Sequence, residues 1–449
     1  MTDQASNSSP RTESVRLSLR PTLASVCVLA AVAYGYILAF HRSFAFRDFD
    51  IHREVGRRFL SGDYLYANDF CYAYLPVAAM YFSPLALMER SAGLMFRYGL
   101  AVGCLVATIV LFNRMVIPSS DQEWRQAYLV GGGAILLTFQ FVLQDLDDGG
   151  PHLILLGILS SAIYSVWRNR PRLGALLFGL GIALKVTPAL FLLLFLWKRQ
   201  WRLFAHTILA TALWIILPMS WMGPTSWWTH HVEWTRNAVL SALDQQLDNR
   251  QLNEQRIRNQ ALKPTLLRYL VTYPADHPMR QGDPAYVPIL DVPPTVANLG
   301  VIAAALGLLA VLAWTSQRSF EPESDQAWAR DCAGIFVLAL LLSPMTWQQH
   351  LAWLLPGAIV ILAAVRSGSG MTKMEWLGLA GYVLLAMVLN YEILGKARFE
   401  MFLSYHPFGI AMILLFGLIV GLNSENRRSL SGSLRSTQLK AALWPNAQS

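Results

Sequence analysis

Charge is what this chain most lacks. Asp, Glu, Lys and Arg make up only 14% of its 449 residues, against 54% hydrophobic residues, where soluble globular domains carry roughly 25% charged residues. With a mean hydropathy of +0.38, the composition lies outside the soluble globular range and indicates a polytopic membrane protein. Cysteine is scarce as well. Cys27, Cys71, Cys104 and Cys332 have no paired spacing and three of them fall in apolar runs, so neither a disulfide framework nor a zinc site is implied. No sequence repeat marks the tandem or inverted halves of a secondary transporter. The net charge of +8 is not gathered into one patch; Lys and Arg sit in short segments between apolar runs, a topology signal and no sign of a nucleic-acid partner.

Apolar runs recur at about 22–40, 93–112, 128–143, 153–167, 203–219, 296–314, 331–346, 351–365, 375–390 and 408–422, each near the roughly 17–25 residues that cross hydrocarbon. The expected fold is therefore an all-α bundle of about 10 spans over 22–423, with cytoplasmic tails at 1–21 and 424–449. Arg11, Arg16 and Arg20, then Arg168, Arg170 and Arg172, then Lys198, Arg199 and Arg202, and later Arg318, Arg366, Lys373, Arg427 and Arg428 mark the inner turns. The basic region before the first run reads as an uncleaved signal anchor. The stretch LGALLFGLGIALKVTPALFLLLFLWKRQWR has basic residues at both ends and Lys185 and Pro188 in the middle. A re-entrant hairpin with Lys185 at its tip satisfies both, since Pro breaks the helical ladder and irregular backbone at membrane depth must be lined by protein. On this reading Lys185 serves the fold or a cytoplasmic-side cavity. Residues 41–92 form a first outer loop whose segment 75–90 lies as an interfacial helix, and 220–295 form a long outer loop.

Polar residues of interest collect on the outer side. Asp48 and Asp50 follow the first apolar run; a close-set carboxylate pair beside lipid is either paired with Arg47 and Arg53 or has a chemical task. QDLDDGGPH offers Asp145, Asp147, Asp148 and His152, either as a solvated turn or as a cation site. His350 follows Trp347 at the outer end of two spans, and His230, His231 and Glu233 stand among Trp227, Trp228 and Trp234, which suits an aromatic belt better than a metal site.

DFDIHREVGRRFLSGDYLY followed by YAYLPVAAMYFSPLALM, then GLGIALKVTPALFLLLFLWKRQWR, NQALKPTLLRYL and LLLSPMTWQQHLAWLLPG together resemble the polyprenol-phosphate-mannose-dependent mannosyltransferases of glycosyltransferase family 87, of the GT-C class. The resemblance implies a GT-C-like bundle that transfers a sugar, usually mannose, with inversion from a polyprenyl-phosphate donor to a lipid or glycan acceptor at the outer face of the cytoplasmic membrane. No cofactor and no metal-ligating residue is assigned. Asp48 takes the general-base position and Asp50 a secondary one. His350 matches the second His of a Trp-x-His-His turn whose first is here Gln349, and it is expected at the donor phosphate. Asn259 and Gln260 match an Asn-Gln-Ser segment that contacts donor phosphate or sugar, with Ala261 in place of Ser. Gly150 and His152 stand where the family often has Gln and Asn. A secondary transporter and a non-enzymatic membrane subunit are the rival classes; Lys185 is the one clear intramembrane charge available to the former.

The topology predicts that Asn68→Cys and Asn249→Cys, each in an otherwise cysteine-free chain, are labelled by an impermeant reagent in intact cells. Labelling of either only after permeabilisation would overturn it.

Overall fold

The computed structural model describes residues 33–37, 48–66, 74–117, 123–236 and 256–422, apart from breaks at 276, 278–279, 281–282, 318–319, 324–325 and 369–370. Both tails, most of the first apolar run, and parts of the two outer loops lie outside the described residues, among them the sites proposed for labelling. The described residues are helical with no strand.

Two short helices, α1 (Asp48–Ser61) and α2 (Pro76–Ala86), precede the bundle and pack on one another. In α1 the buried residues Phe49, His52, Val55, Gly56 and Phe59 recur three and four apart, the stripe of a helix lying on a surface. His52 stacks on Phe82 of α2 with ring centroids 4.1 Å apart. The bundle follows as α3 (Arg90–Val116), α4 (Glu123–Asp148), α5 (His152–Trp167), α6 (Pro171–Leu184), α7 (Leu190–Trp197) and α8 (Trp201–Ile216). After α9 (Pro224–Trp234) and α10 (Leu262–Leu270) come α11 (Pro294–Thr315), α12 (Gln326–Leu341), α13 (Leu355–Arg366), α14 (Lys373–Val383), α15 (Tyr391–Ser404) and α16 (Pro407–Leu422).

The chain is an all-α polytopic membrane protein, but ten full-length spans are not found. Five helical stretches are long and apolar enough to cross a membrane, at Arg90–Val116, Arg125–Asp148, Trp201–Met222, Pro294–Thr315 and Gln348–Arg366, and a sixth is added if the pair Lys373–Val388 and Tyr391–Ser404, bent by 94°, counts as one. The shortfall has a physical reason. At about 1.5 Å per residue a 16-residue helix such as α5 or α12 reaches about 24 Å, short of about 30 Å of hydrocarbon. Both are apolar because protein surrounds them: every residue of α12 from Cys332 to Leu341 is buried. The run at 331–346 ends as helix at Leu341, and 375–390 is broken by the bend.

The expected hairpin is present. α6 ends at Leu184, a turn follows through Lys185, and α7 returns. Trp167, just before α6, accepts from Glu323 N–H at 2.9 Å; Lys198, just after α7, pairs with Asp331 at 2.7 Å and donates to the Ser316 carbonyl at 3.3 Å. Both ends of the hairpin therefore lie at the end of the bundle away from Lys185. Lys198 itself differs from the solvated topology marker that the sequence suggests. Its side chain is 0% exposed and that of Asp331 is 1%.

Removing one partner of such a buried pair leaves an uncompensated charge, so Lys198→Met is expected to destabilise the protein by about 3–5 kcal/mol, with Lys198→Met/Asp331→Leu recovering most of the loss. Thermal unfolding in detergent checks this; equal stability of the single and double variants would contradict it.

Candidate active site

α1 begins with the carboxylates of DFD, a placement that the exposed N–H groups of a helix start favour. Residues two apart on a helix point about 200° apart, and here they do different things. Asp50 receives both Nε and Nη2 of Arg90, at 2.8 and 2.7 Å, and so ties α1 to the start of α3. Asp48 turns the other way, where its Oδ2 accepts from Gln349 Nε2 at 3.5 Å. Phe49, between them, is buried.

The floor beneath Asp48 is the turn from α4 to α5, and its sequence Asp-Asp-Gly-Gly-Pro-His is dictated by contact. Gly149 has φ +75°, and a Cβ there would lie 2.5 Å from that of Phe49. At Gly150 a Cβ would lie 3.0 Å from Asp145 Oδ1 and 3.3 Å from Asp48 Oδ2. Asp145 is fully buried and accepts from Arg97 Nη2 at 3.0 Å and from the His152 and Leu153 N–H groups at 3.2 and 3.3 Å. Arg97, also buried, donates further to the carbonyls of Asp145, Leu146 and Gly150. Asp147 accepts from the Tyr34 hydroxyl at 2.5 Å and Asp148 from Gln144 at 2.9 Å. The acidic turn is thus a fastened element, neither a solvated loop nor a cation cage.

His152, at the start of α5, is fully buried. Its carbonyl accepts from Trp353 Nε1 at 3.0 Å, and its ring lies edge to face with His350 at 4.2 Å between centroids. Lys185 Nζ is 3.4 Å from its Nδ1 and 5.8 Å from the Trp353 ring centroid. His350 Nδ1 accepts from the Trp347 N–H at 3.3 Å, which leaves the proton of the neutral ring on Nε2. Asp48, His152, Lys185, Gln349 and His350, from four separate stretches of sequence, therefore form one polar cluster. Of the two roles expected for Lys185, the separate cytoplasmic-side cavity is not where it lies: it sits beside His152 in this cluster.

Burial is the main reason that the Asp48 carboxyl is pushed up to about 6, with the Asp148 charge adding to it, while Gln349, Arg97 and Lys185 oppose the rise. Burial also pushes His52 down to about 3, helped by Arg97, so its ring packs on Phe82 uncharged.

Asn259 and Gln260 use their polar atoms on backbone. Asn259 donates to the Pro344 carbonyl at 3.0 Å and accepts from Thr346 N–H at 2.9 Å. Gln260, fully buried, donates to the Ile257 and Leu403 carbonyls and accepts from Phe408 N–H at 3.1 Å. They fasten the turn that leads into Trp347–His350, and no hydrogen bond joins them to the Asp48 cluster. His230 accepts from Leu65 N–H at 3.2 Å, and His231 pairs with the Trp227 carbonyl at 2.8 Å. Among the described residues no group of three or more His, Cys, Asp or Glu is placed to hold a metal ion. Sequence reasoning missed Arg97; a lone Arg inside an apolar run was the available signal.

The sequence matches the profile of Glycosyltransferase family 87 over residues 72–344, a range that ends before Gln349 and begins after Asp48. Two relatives carry the name polyprenol-phosphate-mannose-dependent alpha-(1-2)-phosphatidylinositol mannoside mannosyltransferase. That of Mycobacterium tuberculosis is 25% identical over 93% of this chain and 96% of its own length. That of Mycolicibacterium smegmatis is 25% identical over 74% of each chain. No solved structure matches. With more than half of its residues inside the profile match, the chain belongs to glycosyltransferase family 87.

Proposed function

We propose that this glycosyltransferase moves a mannosyl group, with inversion, from a polyprenyl-phosphate donor to an acceptor hydroxyl on a lipid or glycan, at the outer face of the cytoplasmic membrane, with Asp48 as general base. The observation that carries the reading is the single cluster of Asp48, Gln349, His350, His152 and Lys185. It combines one carboxylate whose pKa is raised toward neutrality with groups able to meet a phosphate. The relatives' names supply the donor and one acceptor class, a phosphatidylinositol mannoside.

The acceptor oxygen attacks the anomeric carbon, its proton passes to Asp48 and the carbon–oxygen bond to phosphate breaks. A base is most effective when its pKa lies near the working pH, and about 6 suits that task better than the usual carboxylate value of 3.8. The departing phosphate gains negative charge, which a fixed donor at its oxygen stabilises in surroundings poor in water. His350 Nε2–H fills that role. Asn259 and Gln260 act through the turn they fasten, and Asp50 through the fixed start of α1. Support for the outer face comes from the basic turns. Arg168, Arg170 and Arg366 stand at the helix ends away from Asp48, as expected of cytoplasmic turns.

Membranes holding the protein are expected to turn over a labelled polyprenyl-phosphate mannose with no nucleotide sugar added; no transfer would refute the reading. The base must be ionised to act. kcat/KM is therefore expected to fall tenfold per pH unit below about 6, the midpoint of the free-enzyme base. A profile flat down to pH 4.5 would contradict the raised pKa.

A further inference from the structure

Lys185 is a cation at the tip of the hairpin, partly buried, with its nearest polar contact a neutral ring. Its ammonium lies 3.4 Å from His152 Nδ1 and over the Trp353 ring, and among the described residues no carboxylate is within ion-pair distance of it. Of the charges nearby, Arg97 is paired with Asp145 and Arg90 with Asp50, while Asp48 acts on Lys185 through space without an ion-pair contact. A membrane-embedded cation is costly unless an anion meets it. The second observation is on His152. Because Lys185 has only protons to give, Nδ1 of His152 accepts, and the ring's own proton is on Nε2; that Nε2 is buried and has no hydrogen-bond partner among the described residues.

An unmatched ammonium and an orphaned N–H donor joined to it make an incomplete anion site. We infer that Lys185 and His152 work as one unit that receives the phosphate of the polyprenyl-phosphate donor, Lys185 holding its charge and His152 Nε2–H one of its oxygens. This rests on the proposed function above and goes beyond it, for there only His350 was given a defined contact with the phosphate and Lys185 and His152 were members of the cluster without an assigned role. The unit counters the charge that grows on the phosphate as the sugar–oxygen bond breaks and its electron pair stays with the phosphate oxygen, while the acceptor's proton goes to Asp48. Because the tautomer of His152 is fixed by Lys185, any residue at 152 must accept from Lys185 and donate onward. Asn can do both; Leu can do neither.

The test is binding of polyprenyl phosphate, the matching polyprenol and inorganic phosphate to the full-length protein in phosphatidylcholine nanodiscs, each variant first checked for an unchanged melting midpoint. Wild type is expected to prefer polyprenyl phosphate over polyprenol by about 10–100-fold, as a charge-assisted contact implies, and to bind inorganic phosphate weakly. Lys185→Met and His152→Leu are expected to lose most of that preference, and Lys185→Arg and His152→Asn to keep most of it. His152→Leu removes no charge, so it serves even if Lys185→Met fails to fold. A wild type without the preference would overturn the function and the inference together. A preference undiminished in His152→Leu or in folded Lys185→Met would overturn the inference alone, as would inorganic phosphate binding as tightly as polyprenyl phosphate.

Discussion

The ion pair between Arg97 and Asp145 is the constraint on which the site depends. Two charges with 3% and 0% of their side chains exposed survive only if each is paired and hydrogen-bonded, because losing either partner strands the other at a cost of about 3–5 kcal/mol. Here both conditions hold. Arg97 gathers three carbonyls from the end of α4 and the turn beyond it, and Asp145 takes the first N–H groups of α5. One interaction thereby fixes α3, α4 and α5 against each other and shapes the glycine turn on which Phe49 rests. Since Asp48 immediately precedes Phe49 in the chain, its position follows from that packing.

Matched and unmatched charges divide the polar residues into two groups. Asp50 with Arg90, Asp145 with Arg97 and Asp331 with Lys198 have ion-pair partners and hold helices together. Asp48 and Lys185 make their hydrogen-bond contacts with uncharged side chains, Gln349 and His152, and feel other charges, each other's included, only beyond ion-pair distance. A low-dielectric site makes such groups costly in the resting protein and strong when a substrate charge develops beside them. This is the pattern expected of residues kept for chemistry.

Much of the site could be read in the sequence. That Asp48 and Asp50 face apart follows from their spacing on a helix, while the choice of Asp48 as base and the interest of the turn with Gln349 and His350 rest on the resemblance to the family. The hairpin could be read from basic residues at both ends and a Pro within. Less legible was anything that depends on what surrounds an apolar residue. α12 and α5 look like spans, yet their apolar faces meet protein, so hydropathy overstates the number of crossings. Arg97 was hidden inside such a run. Lys198 looked like a solvated marker because nothing in the sequence links it to Asp331, which lies far along the chain. The contact of Lys185 with His152 is not legible either, because 33 residues separate them in sequence.

The central claim is that Asp48 alone takes the proton. The most direct measurement is transfer from a polyprenyl-phosphate mannose donor by Asp48→Asn and Asp50→Asn at matched membrane abundance. General-base assistance is worth roughly 10²–10⁴-fold, so Asp48→Asn should lower turnover by about that factor with donor binding little changed, while Asp50→Asn, which weakens only the contact with Arg90, should cost far less. Near-wild-type turnover by Asp48→Asn, or a larger loss at Asp50 than at Asp48, would contradict the account.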